Sequence, residues 1–386
     1  MKITHICQYY NDGWGYQENL LPRYQKKLGH DIVVITSDRR PFYPGDKNKR
    51  IIGTGTFFDN EVRVERIPIK WELKNRFVMF KDLRSILEKE KPDYIFHHGV
   101  TALSLKTAVE YKKSYPNTFL VADSHSDFGN TGKSLFSKGI YHGIFWKKFI
   151  HKYINYIDKV FCVTPWVIEF EKEIHKIPQE KIFLLPLGAD EQYTFDKQAR
   201  TQIREEYNLD DDDFLIITAG KIDSFKKTDD IIMALKEIKN QKIKFMIIGS
   251  IEPNYFDKLK KLSKEDNRII FKGWVEQKEF YKFFSAADLG IWPGGQSVIW
   301  QAAVSCGLPI VIKHWPYVEY MVENGNGLIL YSDNYKEIKQ DIEILMNSPE
   351  YLKEMRQKAI LFSENYLSYS KIAEETLKDI SKNKEK

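Results

Sequence analysis

Cysteine is scarce. Among 386 residues only Cys7, Cys162 and Cys306 occur, far apart in the chain. Three thiols cannot all pair and none stands at metal-ligand spacing, so a disulfide framework and a zinc module are both excluded and a reducing cytosol fits. Long apolar runs are missing too. The start, MKITHICQYYND, has no apolar signal core, and no stretch approaches the roughly 20 apolar residues of a membrane span. A soluble or peripheral protein is expected. Nor does one sign of charge dominate: 59 Lys and Arg stand against 54 Asp and Glu, a net +5. No nucleic-acid-binding motif accompanies that mild excess, so nucleic acid is not an expected partner. Low-complexity segments are absent.

What is present is an alternation. The chain is too long for one ordinary core, and its 42% hydrophobic content suits two folded domains. Short apolar runs such as Lys2–Cys7, Asp31–Thr36, Tyr94–His97, Phe119–Ala122 and Lys159–Val163 read as strands. Amphipathic stretches between them read as helices, at Asn19–Leu28, Phe77–Lys89 and Ala102–Lys112. This is the β-α-β pattern of a doubly wound parallel sheet. A polar stretch, Glu191–Asp213, interrupts it, and the alternation then resumes. The expected division is 1–190, 191–370, and a C-terminal helix and frayed tail over 371–386.

The most informative stretch is FLIITAGKIDSFKKTDDIIMA, Phe214 to Ala234. A strand ends at Ala219-Gly220, a loop carries Lys221, Lys226 and Lys227, and a helix capped by Thr228 or Asp229 follows. Cations at the carboxyl end of a strand, beside a helix start, suit an anionic ligand such as a diphosphate. A solvated basic loop is the plainer reading. In the N-terminal half, Gly13 and Gly15 of GWGYQE half-match a dinucleotide fingerprint, but Glu18 replaces its third glycine. His125 falls at a strand end among Asp123, Ser124, Ser126 and Asp127, where carboxylates can tune its proton affinity. It reads equally as a polar loop residue. Within Leu135–Asp158, Phe145, Phe149, Tyr153 and Ile157 recur every four residues. A core-facing helix is the favoured reading, and a basic membrane-surface helix the competing one.

Taken together, these pieces resemble the retaining glycosyltransferases of family 4, which have the GT-B architecture: two Rossmann-like doubly wound domains facing each other across a cleft. Gly220-Lys221 with Lys226 looks like the family's Gly-Arg…Lys diphosphate clamp. Cys306-Gly307-Leu-Pro309-Ile-Val311 and Glu319 with Gly325 and Gly327 look like its later motifs. GWGYQENLLPRYQKKLGHDIVVIT resembles its opening glycine loop and helix, and Lys91-Pro-Asp93 and Pro186-Leu-Gly188-Ala-Asp190 also match. Two departures stand out. Lys221 replaces the usual Arg, keeping the charge but losing the bidentate fork. The family's Glu-x7-Glu pair is absent, because alignment on Cys306-Gly307 puts Gly294 and Ala302 there.

The resemblance implies a metal-independent, cofactor-free transfer of a sugar from a nucleotide-sugar to a hydroxyl of a saccharide or lipid-linked acceptor, with retention. It places Lys221 and Lys226 on the leaving diphosphate and His125 at the donor sugar or acceptor. Gly15, Gly220, Gly295, Gln296, Ser297, Val298, Gln301 and Glu319 complete the expected donor site. Surface polysaccharide or glycolipid assembly at the inner face of a membrane is the expected setting. A nucleotide-sugar epimerase and a non-catalytic nucleotide-sugar-binding subunit remain open as alternatives.

Overall fold

The computed structural model describes residues 1–41, 49–74, 76–132, 134–378 and 380. The chain forms two compact units, Met1–Leu187 with Tyr369–Lys386, and Gly188–Ser368. Helix Tyr369–Thr376, set apart with the tail in the sequence-based division, therefore returns to the first unit. It packs on helix Gln17–Lys27, where Tyr369 stacks on Tyr24 at 5.9 Å, and Tyr94 donates its hydroxyl hydrogen to the Thr376 carbonyl at 3.0 Å. The tail expected to fray, 381–386, lies outside the described residues.

The first unit contains β1 (Lys2–Ile6), β2 (Asp31–Ser37), β3 (Gly55–Asp59), β4 (Val62–Ile67), β5 (Ile69–Leu73), β6 (Phe77–Phe80), β7 (Tyr94–His97), β8 (Phe119–Ser124), β9 (Lys159–Cys162) and β10 (Ile182–Leu184). Eight of these make one sheet in the order β10-β9-β8-β7-β1-β2-β4-β3, while β5 and β6 form a separate hairpin. Only β3 runs antiparallel in the large sheet. Parallel strands covered on both faces need apolar residues throughout rather than alternately. The runs at Ile32–Ile35 and Tyr94–Phe96 meet that need and are buried.

Two elements of this unit differ from expectation. The helix expected over Phe77–Lys89 is strand β6 followed by helix Leu83–Glu90. The ladder with β5 claims Phe77–Phe80, and the Phe77 ring stacks on Trp146 at 5.7 Å. The single helix expected over Leu135–Asp158 is a π-helical stretch, Ser137–Trp146, continued by α-helix Lys147–Tyr153 and a 3-10 turn. The wider winding of the π-helix rotates the face. Tyr153 and Ile157 enter the core as expected, whereas Phe145 stays 44% exposed.

The second unit holds β11 (Phe214–Ala219), β12 (Ile243–Ile248), β13 (Ile269–Gly273), β14 (Leu289–Trp292), β15 (Ile310–Lys313) and β16 (Gly327–Leu330), all parallel, in the order β13-β12-β11-β14-β15-β16. The order reverses direction beside β11, and in such sheets ligands sit at the carboxyl ends near that switch. The amino end of β14 is pinned by Asp288. Its carboxylate accepts from Arg200 (2.9 Å), Arg356 (3.0 Å) and the Leu215 amide (2.8 Å). Helix Thr228–Glu237 is not capped by Thr228 or Asp229. Both lie inside it, behind Lys227 in the left-handed region (φ 50°). The cap comes from helix Pro253–Leu262, because the Tyr255 hydroxyl oxygen accepts from the Asp229 amide at 3.0 Å. Tyr255 and Lys258 both bond the Asp229 carboxylate, so that side chain is engaged outside the cap.

Candidate active site

At the carboxyl end of β11 the chain must turn out of the sheet at once, and Gly220 does so at φ +121°, a value that L side chains rarely adopt. A Cβ there would stand 3.7 Å from the Ser297 hydroxyl, so the first basic loop and the glycine loop after β14 are neighbours. Lys226 ties them together. Its ammonium donates to the carbonyls of Gly295 (3.0 Å) and Gln296 (2.9 Å). An ammonium has three N–H donors, and among the described residues the third meets no acceptor. Burial draws the Lys226 proton affinity below the ordinary lysine value, and Asp223 offsets part of that. Lys221 is exposed and makes no ion pair among the described residues.

The loops touch most closely at Gly294. A Cβ there would lie 2.1 Å from the Phe225 carbonyl oxygen and 2.5 Å from the Lys226 Cα. Position 294, where the resemblance expects the first glutamate, thus has no room for a side chain between these loops. The indole N–H of Trp315 donates to the Gly294 carbonyl at 3.2 Å and holds the loop from its other side.

The remaining residues of the second unit expected at this site lie around the same sheet edge. Gln296 and Val298 are exposed and Ser297 is half-buried. Gln301, on the short helix Ile299–Ser305, is buried, and its amide oxygen has no hydrogen-bond partner among the described residues. Glu319 lies beyond the end of β15, half-exposed, with His314 Nε2 at 3.2 Å. Gly15 and His125 belong to the first unit. Gly15 lies in the loop before helix Gln17–Lys27, and His125 directly follows β8. Among the described residues no group of three or more His, Cys, Asp or Glu could hold a metal ion.

His125 is half-exposed, and its Nε2 lies 3.6 Å from Asp123 Oδ2. Desolvation works against the imidazolium. The close contact with Asp123, with the charges of Asp123 and Glu18, outweighs it and raises the His125 proton affinity above the ordinary histidine value. His98 stands on the other side of that carboxylate, with Nδ1 3.0 Å from Asp123 Oδ2. The sequence reading did not single out His98. The parallel register of β7 on β8 aligns His97 with Ala122, and so brings His98 beside Asp123.

The pattern of the family described as glycosyl transferases group 1 matches residues 199–362, and that of glycosyltransferase family 4 matches residues 19–193. The chain is a family 4 glycosyltransferase. This glycosyltransferase is 24% identical over 383 residues to the alpha-monoglucosyldiacylglycerol synthase of Acholeplasma laidlawii, covering 93% of this chain and 92% of that one. With the alpha-galactosylglucosyldiacylglycerol synthase of Streptococcus pneumoniae it shares 23% identity over 230 residues, 57% of this chain and 60% of the relative. Among solved structures, Anabaena HepE in complex with UDP superposes with a TM-score of 0.75 at 13% identity, covering 99% of this chain and 100% of HepE. WaaG, a glycosyltransferase involved in lipopolysaccharide biosynthesis, gives 0.61 at 15% identity, with 98% of this chain and 100% of WaaG covered. These likenesses place the glycosyltransferase in the GT-B fold class.

Proposed function

We propose that this glycosyltransferase moves a sugar from a UDP-sugar to a hydroxyl of a membrane glycolipid or its precursor, with retention of anomeric configuration. The observation that carries the donor half is the junction of Lys226 with the Gly294–Ser297 loop at the carboxyl edge of a parallel sheet. There a diphosphate finds the free third N–H of Lys226 and the exposed ammonium of Lys221. Both cations oppose charge that grows on the leaving nucleotide, and such preorganised electrostatic stabilisation is usually the largest catalytic term. The reaction is written without a metal and without a protein base. A phosphate oxygen of the departing nucleotide takes the acceptor proton as the acceptor oxygen bonds the anomeric carbon on the same face. His125 contributes a hydrogen bond to the donor sugar or the acceptor.

The acceptor half rests on a surface. No helix among the described residues is long and apolar enough to cross a membrane. The segment around Ser137–Trp146 nevertheless exposes Leu135 (92%), Phe136 (66%), Ile140 (53%), Ile144 (50%) and Phe145. Trp71 and Leu73 of the adjoining β5–β6 hairpin are exposed as well. Lys138, Lys148 and Lys152 stand along the same helical stretch, exposed to solvent. Apolar side chains edged by lysines suit the headgroup boundary of an anionic bilayer. That setting brings a lipid acceptor to a peripheral enzyme at the inner membrane face, and it agrees with relatives named for diacylglycerol glycolipids.

The test is a thermal-shift titration with UDP, UDP-glucose and other nucleotide-sugars, followed by NMR of the sugar released or transferred to diacylglycerol. Stabilisation by one donor, product of retained anomeric configuration and loss of both in Lys226→Ala are expected. Absence of binding to every nucleotide-sugar overturns the donor assignment. Binding without turnover on any acceptor favours a non-catalytic nucleotide-sugar-binding subunit, a reading suited to a chain lacking both family glutamates.

A further inference from the structure

Side chains along a strand alternate between its faces, so in β3 Phe57 and Asp59 share one side and Phe58 stands on the other. Phe58 is 70% exposed, whereas Phe57 packs against the buried cluster that contains Ile3, Tyr10 and Leu20. Asp59 is therefore turned inward with Phe57. The turn to β4 is only Asn60-Glu61, because Asp59 stands opposite Val62 in the antiparallel register. Both turn residues are left-handed, at φ 46° and 68°, the sign that a two-residue type I′ hairpin turn requires. Asn tolerates that conformation, but for Glu61 it is costly. The tight turn fixes where β3 ends, and with it where the Asp59 carboxylate stands.

That carboxylate gathers three donors from the segment between β1 and the first turn of helix Gln17–Lys27. Its Oδ2 accepts from the Tyr10 hydroxyl (2.7 Å), the Gly13 amide (3.0 Å) and Asn19 Nδ2 (3.1 Å). Its Oδ1 accepts from Asn60 Nδ2 at 2.9 Å. The Gly13 amide can only donate. Asn19 Nδ2 also lies 2.8 Å from the Asn11 carbonyl, which can only accept, so the orientation of the Asn19 amide is settled. Tyr10 and Asn19 are buried, and buried polar atoms need such partners. Arg66 of β4 holds the same segment from a second point. Its guanidinium donates to the Tyr10 carbonyl at 3.2 Å, pairs with Asp12, and lies over the Phe57 ring, 5.0 Å from the centroid. Gly13 is at φ +72°, and nothing stands within 4 Å of a Cβ built there. That glycine serves the direction of the backbone, not close packing.

We propose that Asp59 is a positioning residue, which fixes the backbone of the glycine loop, Gly13 to Gly15, in the shape that admits the nucleotide-sugar. The ligand part rests on the assignment of Gly15 to the donor. Asp59 acts through the loop and not on the reacting atoms. A loop held in its binding shape before the ligand arrives loses little conformational freedom on binding, so the hold strengthens affinity and not the chemical step. Without the carboxylate, Gly13, Tyr10 and Asn19 lose a shared acceptor and the loop samples other shapes. Affinity then falls in proportion to the time spent in the competent one.

The chain contains a single Asp-Gly pair, Asp12-Gly13. Labelling aspartate with ¹³C at its carbonyl and glycine with ¹⁵N therefore isolates the Gly13 amide in NMR of the full-length protein without ligand. Its hydrogen exchange is expected to be slowed in the wild type, equally slow in Asp59→Asn, which keeps an oxygen facing the loop, and about tenfold faster in Asp59→Ala. Hydrolysis of the nucleotide-sugar that stabilises the protein most, UDP-glucose being the first tried, gives the kinetic arm. In Asp59→Ala, KM is expected to rise about tenfold with kcat within about threefold of wild type, and Asp59→Asn is expected to restore KM. A Gly13 amide that exchanges freely in the wild type overturns the proposal, and that measurement needs no variant to fold. An Asp59→Ala protein with faster Gly13 exchange but unchanged KM overturns the positioning role. If no nucleotide-sugar binds the wild type while the Gly13 amide behaves as stated, the donor reading fails and the hold of Asp59 on the loop remains.

Discussion

Restoring the glutamate that the family pattern expects at position 294 is the most direct challenge to this site. By sequence logic Gly294→Glu returns a donor-sugar contact and improves the enzyme. The packing says the opposite. A Cβ at 294 stands 2.1 Å from Phe225 O, 2.5 Å from Lys226 Cα and 2.6 Å from Lys226 C. All three are backbone atoms, so no change of rotamer relieves the clash, and the loops must part by about an ångström to reach ordinary contact. That movement strains the Gly295 amide bond to Phe225 O (3.3 Å) and the two Lys226 bonds to the glycine loop. Overpacking costs roughly 1–3 kcal/mol, and weakening those partly solvated bonds adds on the order of 1 kcal/mol. Each kcal/mol lowers Tm by roughly 2–4 °C in a unit of 150–250 residues, so Gly294→Ala is expected to melt roughly 4–16 °C below wild type. Gly294→Glu is expected to lose at least as much and to bind UDP-glucose more weakly. Gly295→Ala is the control, since the nearest atom to its Cβ is Lys226 Nζ at 3.9 Å, and its Tm is expected within about 2 °C of wild type. Thermal unfolding and UDP-glucose titration of the three variants decide the matter. A Gly294→Glu protein that melts with the wild type and binds UDP-glucose at least as tightly refutes the reasoning.

Three further predictions rest on other parts of the molecule. Lys226→Ala is expected to lower turnover by about 10²–10³-fold, the usual loss on removing one electrostatic contact to developing charge, and near-normal turnover would exclude the clamp role. Acid should destabilise the first unit. His5, His97 and His142 have pKa values lowered by burial to about 3, about 4 and about 4. Between pH 6.5 and those values the unfolded chain takes up protons that the folded chain refuses, so stability falls as pH falls. At pH 5 each histidine contributes about 2 kcal/mol of that loss, partly opposed by His125, whose shift has the other sign. Guanidinium midpoints at pH 7.5 and pH 5 measure it, and equal midpoints would contradict the burial of these rings. Finally, Phe136→Asp with Ile140→Asp is expected to reduce sedimentation with anionic phosphatidylglycerol vesicles by at least tenfold while leaving Tm unchanged, because both side chains are exposed. Undiminished binding would move the membrane contact elsewhere.

Much of the architecture was legible because parallel sheets demand it. The runs at Ile32–Ile35 and Phe214–Thr218 are apolar on both faces, and Gly220 marks where the second must turn. The elements that misled are those whose state depends on a distant partner. Phe77–Phe80 has no local feature that rules out a helix, yet it pairs with Ile69–Leu73 and stacks on Trp146. Thr228 and Asp229 look like helix caps, but the oxygen that caps the helix belongs to Tyr255. A four-residue apolar repeat in Phe145–Ile157 assumed α-helical winding, and the π-helical turns before Trp146 carried Phe145 out of the core.

The same division runs through the site. Lys221, Lys226, the glycine loop and His125 could be nominated from residue type and spacing, because cations and glycines after a buried strand have a chemistry of their own. Sequence alone determined the two α/β units and nominated the short stretches proposed to carry the chemistry. Only the tertiary structure decided that Lys226 ties its loop to two carbonyls of the glycine loop, that position 294 has no room for a side chain, and that Asp123 lies between His98 and His125. Local propensity and periodicity act over a few residues. Steric closure and hydrogen-bond direction arise where segments dozens or hundreds of residues apart, such as His5, His98 and Thr376, meet within 3 Å of their partners.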